Sequence, residues 1–264
     1  QRQQPVLIHS HGYKAGILAR LASQFSSTLV ISSYHAGEVP IGIVKIYDWL
    51  DRYTSFMNVE NIAVSEQIAQ RIPFSSRVVA NFLENKTLPI STGLEVAFVG
   101  RLSHEKGLDY FLDLVAECPD IPFSIYGDGP QKNLVDKRLS SNLTFYGQQS
   151  SMEDHWQNIN ILVLTSRQEG LPMVALEALS RGIPVIASDV GDLPKVILNG
   201  QNGWLYPSGD TIALKGYLFD WFDFSEDEQL NIRRFSQQNF VKNYSTEAVM
   251  PVFLSIYHHA VGGA

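Results

Sequence analysis

Short apolar runs rich in branched residues alternate along this chain with stretches whose apolar positions recur at helical spacing. The runs read as strands and the spaced repeats as helices. Strands are expected at Pro5–Ser10, Thr28–Ser33, Asn61–Ser65, Arg77–Asn81, Leu94–Gly100, Phe123–Gly127, Leu143–Tyr146, Ile159–Leu164 and Pro184–Ser188. Helices fill most of the gaps. Tyr13–Ser26 carries leucines and alanines on one stripe, Gly107–Glu117 repeats Leu108, Phe111, Leu112 and Val115, and Pro172–Arg181 is almost wholly apolar. Strand and helix in alternation predict βαβ units feeding a parallel sheet, an α/β fold.

The stretch from Phe82 to Gly93 breaks this pattern. It is polar and punctuated by Pro89 and Gly93, as a linker between domains would be. The boundary is therefore expected near residue 90, with a first domain over 1–90 and a second over 91–245. Residues 210–262 return to helices, and a final helix within 246–264 is long enough to pack back on the first domain. No repeat or low-complexity tract is visible.

Composition narrows the class. The 264 residues are 45% hydrophobic and 11% aromatic, enough for one large core or two small ones. Cys118 is the single cysteine, which excludes an internal disulfide framework and makes a cytoplasmic setting the default expectation. No run approaches the ~18 apolar residues of a membrane span, and the first residues lack a signal-peptide pattern. The chain does not begin with methionine and enters a strand almost at once, so a trimmed front is expected. The net charge of −7 argues against a nucleic-acid partner. It is unevenly spread, at +2 over residues 1–90 (8 basic, 6 acidic) and −9 over 91–264 (12 basic, 21 acidic). The front thus tolerates an acidic acceptor or peripheral contact with a membrane surface.

Two acids stand out. Glu177 is the one polar side chain in Pro-Met-Val-Ala-Leu-Glu-Ala-Leu, a costly place for a carboxylate unless a structural donor or a ligand's hydroxyls satisfy it. Pro172 is expected at the first helical position. Glu169 precedes Gly170-Leu171-Pro172-Met173 just beyond the strand Ile159–Leu164. In open α/β sheets ligands bind at that strand edge, and the N–H groups opening the next helix favour phosphate. Gly170 lets the backbone approach a ligand closely. Glu169 is equally readable as a solvated loop acid.

A second candidate follows the strand Leu94–Gly100. Arg101 and Lys106 suit phosphate oxygens, Arg101 through paired donors and Lys106 as a compact charge. His104 and Lys106 at the positive end of a helix are unfavourable until an anion arrives. A surface basic pair is the plainer alternative. Gly127, in Gly-Asp-Gly-Pro (127–130), and Tyr146 close the two following strands; turn geometry alone can account for them. His9, His11 and His35 also end strands, but their spacing matches no zinc pattern, so no metal is expected. His35 reads as a neutral donor or acceptor in a cleft, or as a hydrogen-bonded loop histidine.

Taken together, five stretches resemble glycosyltransferase family 4, retaining enzymes of GT-B fold. They are Phe-Val-Gly-Arg-Leu with Glu-Lys-Gly (98–107), Tyr-Gly-Asp-Gly-Pro (126–130), Ser-Arg-Gln-Glu-Gly-Leu-Pro-Met-Val-Ala-Leu-Glu-Ala-Leu (166–179), Gly-Ile-Pro-Val-Ile-Ala-Ser-Asp-Val-Gly (182–191) and Asn-Gly-Gln-Asn-Gly-Trp-Leu (199–205). The front is similar more loosely, at 9–15, 34–38 and 64–66. The resemblance implies a complete C-terminal Rossmann-like domain behind a partial, acceptor-side N-terminal one. It implies that Glu169 faces the donor sugar, that Glu177 holds the ribose, that Arg101 and Lys106 take the diphosphate, and that His35 is the front-domain histidine near the reacting sugar. Asn81-Phe82 departs from the family's usual Asn-Gly, and the family's first strand and glycine-rich loop are absent.

The activity so implied is transfer of a sugar, with retention, from a nucleoside diphosphate sugar to a hydroxyl of a glycan or lipid-linked saccharide. No cofactor beyond the donor is expected. Three other readings remain. The chain could be a non-catalytic or incomplete nucleotide-sugar-binding module needing its front or a partner chain, or an epimerase acting on the donor alone. A glycoside hydrolase using Glu169 and Glu177 is opposed by the placing of Glu177 more than a turn inside an apolar helix.

Overall fold

The computed structural model describes residues 5–35, 42–85 and 88–262. Two compact units emerge, one of residues 1–82 with 246–264 and one of residues 83–245. Among the described residues no helix is long and apolar enough to cross a membrane.

The first unit runs β1 (Leu7–His11), α1 (Tyr13–Ser23), β2 (Leu29–Tyr34), α2 (Ile43–Tyr53), β3 (Glu60–Ala63), α3 (Glu66–Ala69) and β4 (Arg77–Val78). Its four strands are parallel and lie in sequence order. Between α1 and α2 the buried Arg20 pairs with the Asp51 carboxylate, accepted also by the Asp51 carbonyl at 3.1 Å and the Ser32 hydroxyl at 3.1 Å. Gly16 makes room for this pair, since a Cβ there would sit 2.5 Å from Asp51 Oδ1.

The second unit runs β5 (Glu95–Val99), α4 (Leu108–Glu117), β6 (Phe123–Tyr126), α5 (Lys132–Lys137), β7 (Leu143–Gly147), β8 (Ile159–Leu164), α6 (Met173–Ser180), β9 (Val185–Ser188), α7 (Leu193–Val196), β10 (Gly203–Tyr206), α8 (Thr211–Asp223) and α9 (Glu226–Tyr244). All six strands are parallel, in the order β10-β9-β8-β5-β6-β7. Every residue of β8 is buried, as a strand covered on both faces must be. Val96, Phe98, Ile125, Ile161 and Val163 pack beneath Phe111, Leu112 and Val115 of α4 and Trp221 of α8. A last helix, α10 (Thr246–Gly262), belongs to the first unit. It contributes Val249, Phe253 and Ile256 to the core with Ile31, Ile62 and Val79.

Three features differ from the hydropathy pattern. β10 was not expected, because four residues behind the turn sequence Asn-Gly-Gln-Asn-Gly carry too little periodicity; pairing of Gly203 through Tyr206 with Val185 through Ser188 makes the strand. Pro172 caps α6 with an extended ψ of 128° instead of occupying its first position, and the helix begins at Met173. Residues 83–93 belong to the second unit. Their backbone is tied down there, with the Leu83 N–H on the Tyr244 carbonyl (3.0 Å), Gln237 Nε2 on the Leu88 carbonyl (2.8 Å) and the Ser91 hydroxyl on the Ile159 carbonyl (2.7 Å).

The strand order sets the site. Chain progress from β5 moves one way to β6 and β7, and from β8 the other way to β9 and β10. Between β5 and β8 the connections diverge, the point at which open α/β sheets form a ligand crevice beyond the strands' carboxyl ends.

Candidate functional site

The loops that leave β5 and β8 meet at this crevice and are stitched together. The Thr165 hydroxyl donates to the carbonyls of Lys106 (3.1 Å) and Gly107 (2.8 Å), and the Arg167 N–H donates to the Glu105 carbonyl at 2.8 Å. Gly107 is required here. Its φ is +66°, and a Cβ would lie 1.9 Å from the Thr165 carbonyl oxygen. Lys106 closes the 3₁₀ turn His104–Lys106 just before it.

The consequence is an ion pair between two sequence candidates. Lys106 Nζ lies 2.7 Å from each carboxylate oxygen of Glu169, and the Ser166 hydroxyl donates to Oε1 at 2.7 Å. Glu169 is only 8% exposed, so it is not a solvated loop acid. The anion that Lys106 was expected to await is supplied by the protein itself. Gly170 and Leu171 follow, the Gly170 carbonyl accepting the Asp192 N–H at 3.0 Å and Leu171 being buried. Met173, exposed, opens α6.

Arg101 is separated from Lys106 in contacts. It is exposed and lines a cavity of about 430 Å³ with Gly100, Gly127, Asp128, Gln148 and Gln149, at the carboxyl ends of β5 to β7. Tyr146 does not line it. Its ring stacks on Tyr126 with centroids 4.6 Å apart and planes 2° from parallel, and its hydroxyl donates to Glu95 Oε1 at 3.3 Å while Tyr126 donates to Oε2 at 3.0 Å. Burial and the Glu95 carboxylate raise the pKa of both phenols.

Glu177 stands in a different setting from the one its apolar neighbours suggest. α6 buries Ala175, Leu176, Ala178 and Leu179, and leaves Met173, Val174 and Glu177 along a more open side. Its carboxylate lines a second cavity, of about 500 Å³, with Gln149, Met152, Glu153, Trp156 and Arg181. It takes no hydrogen bond among the described residues. Burial raises its pKa, Arg181 lowers it and Glu153 raises it. Arg181 is itself held, donating to the Glu177 carbonyl (2.9 Å) and Glu153 Oε2 (2.8 Å) over the Trp156 ring. Gln149 and Met152 belong to the walls of both cavities, which therefore adjoin.

In the first unit His9, His11 and His35 cluster. His11 Nδ1 is 3.0 Å from His35 Nε2, and the His9 ring bonds Tyr257 (2.7 Å) and Ser33 (2.8 Å). Burial, with the neighbouring imidazoles, pushes His9 down to about 4 and lowers His35, where Asn81 works the other way. Among the described residues no group of three or more His, Cys, Asp or Glu could hold a metal ion. Residues 36–38 of the loosely similar stretch 34–38 lie outside the described residues.

Sequence reasoning missed several participants. Arg181 follows Glu177 at the helical spacing of four, a legible signal. Ser166 and Arg167 sit within the quoted stretch 166–179 but carried no stated role. Gln149 and Met152 have no motif, and reach the cavities only through the course of the loop after β7.

Comparison with known proteins agrees with this construction. Residues 93–218 match the family model "Glycosyl transferases group 1". An uncharacterised glycosyltransferase of Methanocaldococcus jannaschii is 28% identical over 229 residues, 79% of this chain and 63% of that protein. Matches to two other curated relatives cover 32% and 48% of those proteins, so the chain spans less than two thirds of each. Among solved structures, sucrose-phosphate synthase from Thermosynechococcus elongatus is similar with a TM-score of 0.84 at 19% identity, covering 98% of this chain and 74% of that one. HepE of Anabaena, solved in complex with UDP, also gives 0.84, at 18% identity over 95% and 78%. These likenesses show the fold. The matched segment runs from β5 to β10 and includes the switch point between β5 and β8, and the two parallel sheets have the GT-B fold of these solved glycosyltransferases.

Proposed function

We propose that the second unit binds a nucleoside diphosphate sugar in the crevice, and that the protein transfers the sugar, with retention, to a hydroxyl of a glycan or lipid-linked saccharide. The observation that carries this reading is the pairing of Lys106 with the buried Glu169 at the switch point, together with the two adjoining cavities lined by Arg101 and by Glu177. Arg101 and Lys106 supply cationic donors for a diphosphate, and the N–H groups opening α6 add to them. Glu177 offers an acceptor for ribose hydroxyls. Glu169, oriented by Ser166 and Lys106, addresses the sugar.

In transfer, the bond from the anomeric carbon to the phosphate oxygen breaks as the acceptor oxygen bonds on the same face. The acceptor's proton passes to the departing phosphate, whose charge Arg101 and Lys106 stabilise. No metal is needed for that step. His35 contributes to transfer, and a cytoplasmic or membrane-peripheral setting is the place where such donors are used.

UDP, the nucleotide bound by HepE, is the probe. Calorimetry is expected to show UDP binding that Lys106→Met and Glu177→Ala each weaken, and a panel of UDP-sugars to show transfer that His35→Ala lowers. If neither UDP, GDP nor ADP binds, the donor-site reading fails; if one binds but no donor and acceptor pair turns over, the reading narrows to a binding module.

A further inference from the structure

We infer that Arg167 and Asp109 are a positioning pair that holds Lys106 and Glu169 in register for the donor, a role that rests on the donor-site reading above. Arg167 lies between Ser166, whose hydroxyl bonds the Glu169 carboxylate, and Glu169 itself. Asp109 stands in the first turn of α4, three residues beyond Lys106. Their contact is a fork on a fork, Nη1 to Oδ1 at 2.8 Å and Nη2 to Oδ2 at 2.7 Å. Such paired bonds fix the relative orientation of two planes, which a single bond does not.

Every other contact of Arg167 reaches the same loop. Its Nη1 donates to the His104 carbonyl at 2.9 Å, its backbone N–H to the Glu105 carbonyl at 2.8 Å, and its guanidinium lies 4.0 Å from the centre of the Tyr110 ring. Residues 104, 105, 109 and 110 are thus all tied to Arg167, and they bracket Lys106. On the far side, the Ser166 carbonyl accepts the hydroxyls of Ser188 (2.5 Å) and Ser208 (3.2 Å), which fixes the backbone just before Arg167.

Both terminal nitrogens of Arg167 are taken up by Asp109 and the His104 carbonyl, so the pair acts through the loop that carries Lys106. Arg167 is 22% and Asp109 37% exposed, and the bonded guanidinium holds the Asp109 carboxyl below its ordinary range while Asp109 in turn raises Arg167. Lysine cannot substitute, because a point charge lacks the fork.

The test compares wild type, Arg167→Lys, Asp109→Asn, Lys106→Met and Arg167→Lys/Lys106→Met. UDP affinity is read by calorimetry, and amide exchange over 104–110 and 165–170 is read without ligand. Loss of register by a fraction of an ångström is expected to weaken UDP about tenfold in Arg167→Lys and Asp109→Asn. In the Lys106→Met background the Arg167→Lys loss is expected to shrink to within about twofold, because the two changes act on one contact. Exchange in both loops rises. An equal loss in both backgrounds, or unchanged exchange in either loop, overturns the positioning role. Should wild type bind none of UDP, GDP and ADP while Arg167→Lys still loosens both loops, the donor reading fails and the stitch between the loops stands.

Discussion

Replacing Lys106 with methionine keeps most of the side chain's volume and removes its charge, leaving Glu169 buried with the Ser166 hydroxyl as its remaining side-chain donor. Breaking a buried ion pair by deleting one partner costs roughly 3–5 kcal/mol. Lys106 is 22% exposed and Ser166 stays in place, so about 2–3 kcal/mol is expected here. At roughly 2–4 °C per kcal/mol for a domain of this size, the melting transition of the second unit falls by about 4–12 °C. Glu169→Gln should behave differently, since it leaves a lysine that can turn to water and an amide that keeps the Ser166 bond; about 1 kcal/mol is expected. The double variant should be more stable than Lys106→Met alone, because no uncompensated charge remains. Urea titration of all four proteins without nucleotide measures this, and raising salt from about 0.1 to 0.5 M should barely change the ordering, since a sequestered pair is poorly screened. A Glu169→Gln variant as destabilised as Lys106→Met would refute the reasoning, for it would mean the pair is solvated and the asymmetry absent.

Glu177→Gln should stabilise the protein at neutral pH and not at acid pH. The folded carboxyl titrates above the ordinary 4.5, so the native state holds more protons, and stability contributed by this group falls as pH rises from 4.5 through the raised value. Urea midpoints of the variant and wild type at two pH values check the sign. Gly107→Ala should cost about 2–4 kcal/mol, from a side chain at positive φ and a clash with the Thr165 carbonyl, and should abolish UDP binding alongside a lowered melting point. Tyr146→Phe should leave UDP affinity within about twofold while lowering stability by roughly 1 kcal/mol, because its hydroxyl serves Glu95 and not a cavity; calorimetry and urea titration separate the two effects.

The strands were legible where burial is uniform. Ile159–Leu164 lies at the centre of a sheet covered on both faces, and its unbroken apolar run says so. β10 was not, since an edge strand of four residues is made by its neighbour and not by its own pattern. The two acids stand out in the sequence, but their surroundings do not. An apolar helix was taken to enclose Glu177, but only the side bearing Ala175, Leu176 and Ala178 meets the core. Glu169 looked like a loop acid because nothing local in sequence shows that a lysine 63 positions earlier returns to it. Arg167 was invisible for the same reason: its partner, Asp109, is brought to it only when β5 and β8 become neighbours.

The placement of α10 in the first unit bears on the order in which the chain can fold during synthesis. Residues 83–245 are contiguous and hold their own core, so that unit can form as soon as it leaves the ribosome. The first unit is discontinuous. Three of the six buried residues of one of its core clusters, Val249, Phe253 and Ile256, come after the whole second unit in the chain. Ile31, Ile62 and Val79 must therefore wait, with their apolar surface open, through the synthesis of the whole second unit. Shortening the chain behind Ser245 would leave the second unit able to form and take the cover from Ile31, Ile62 and Val79.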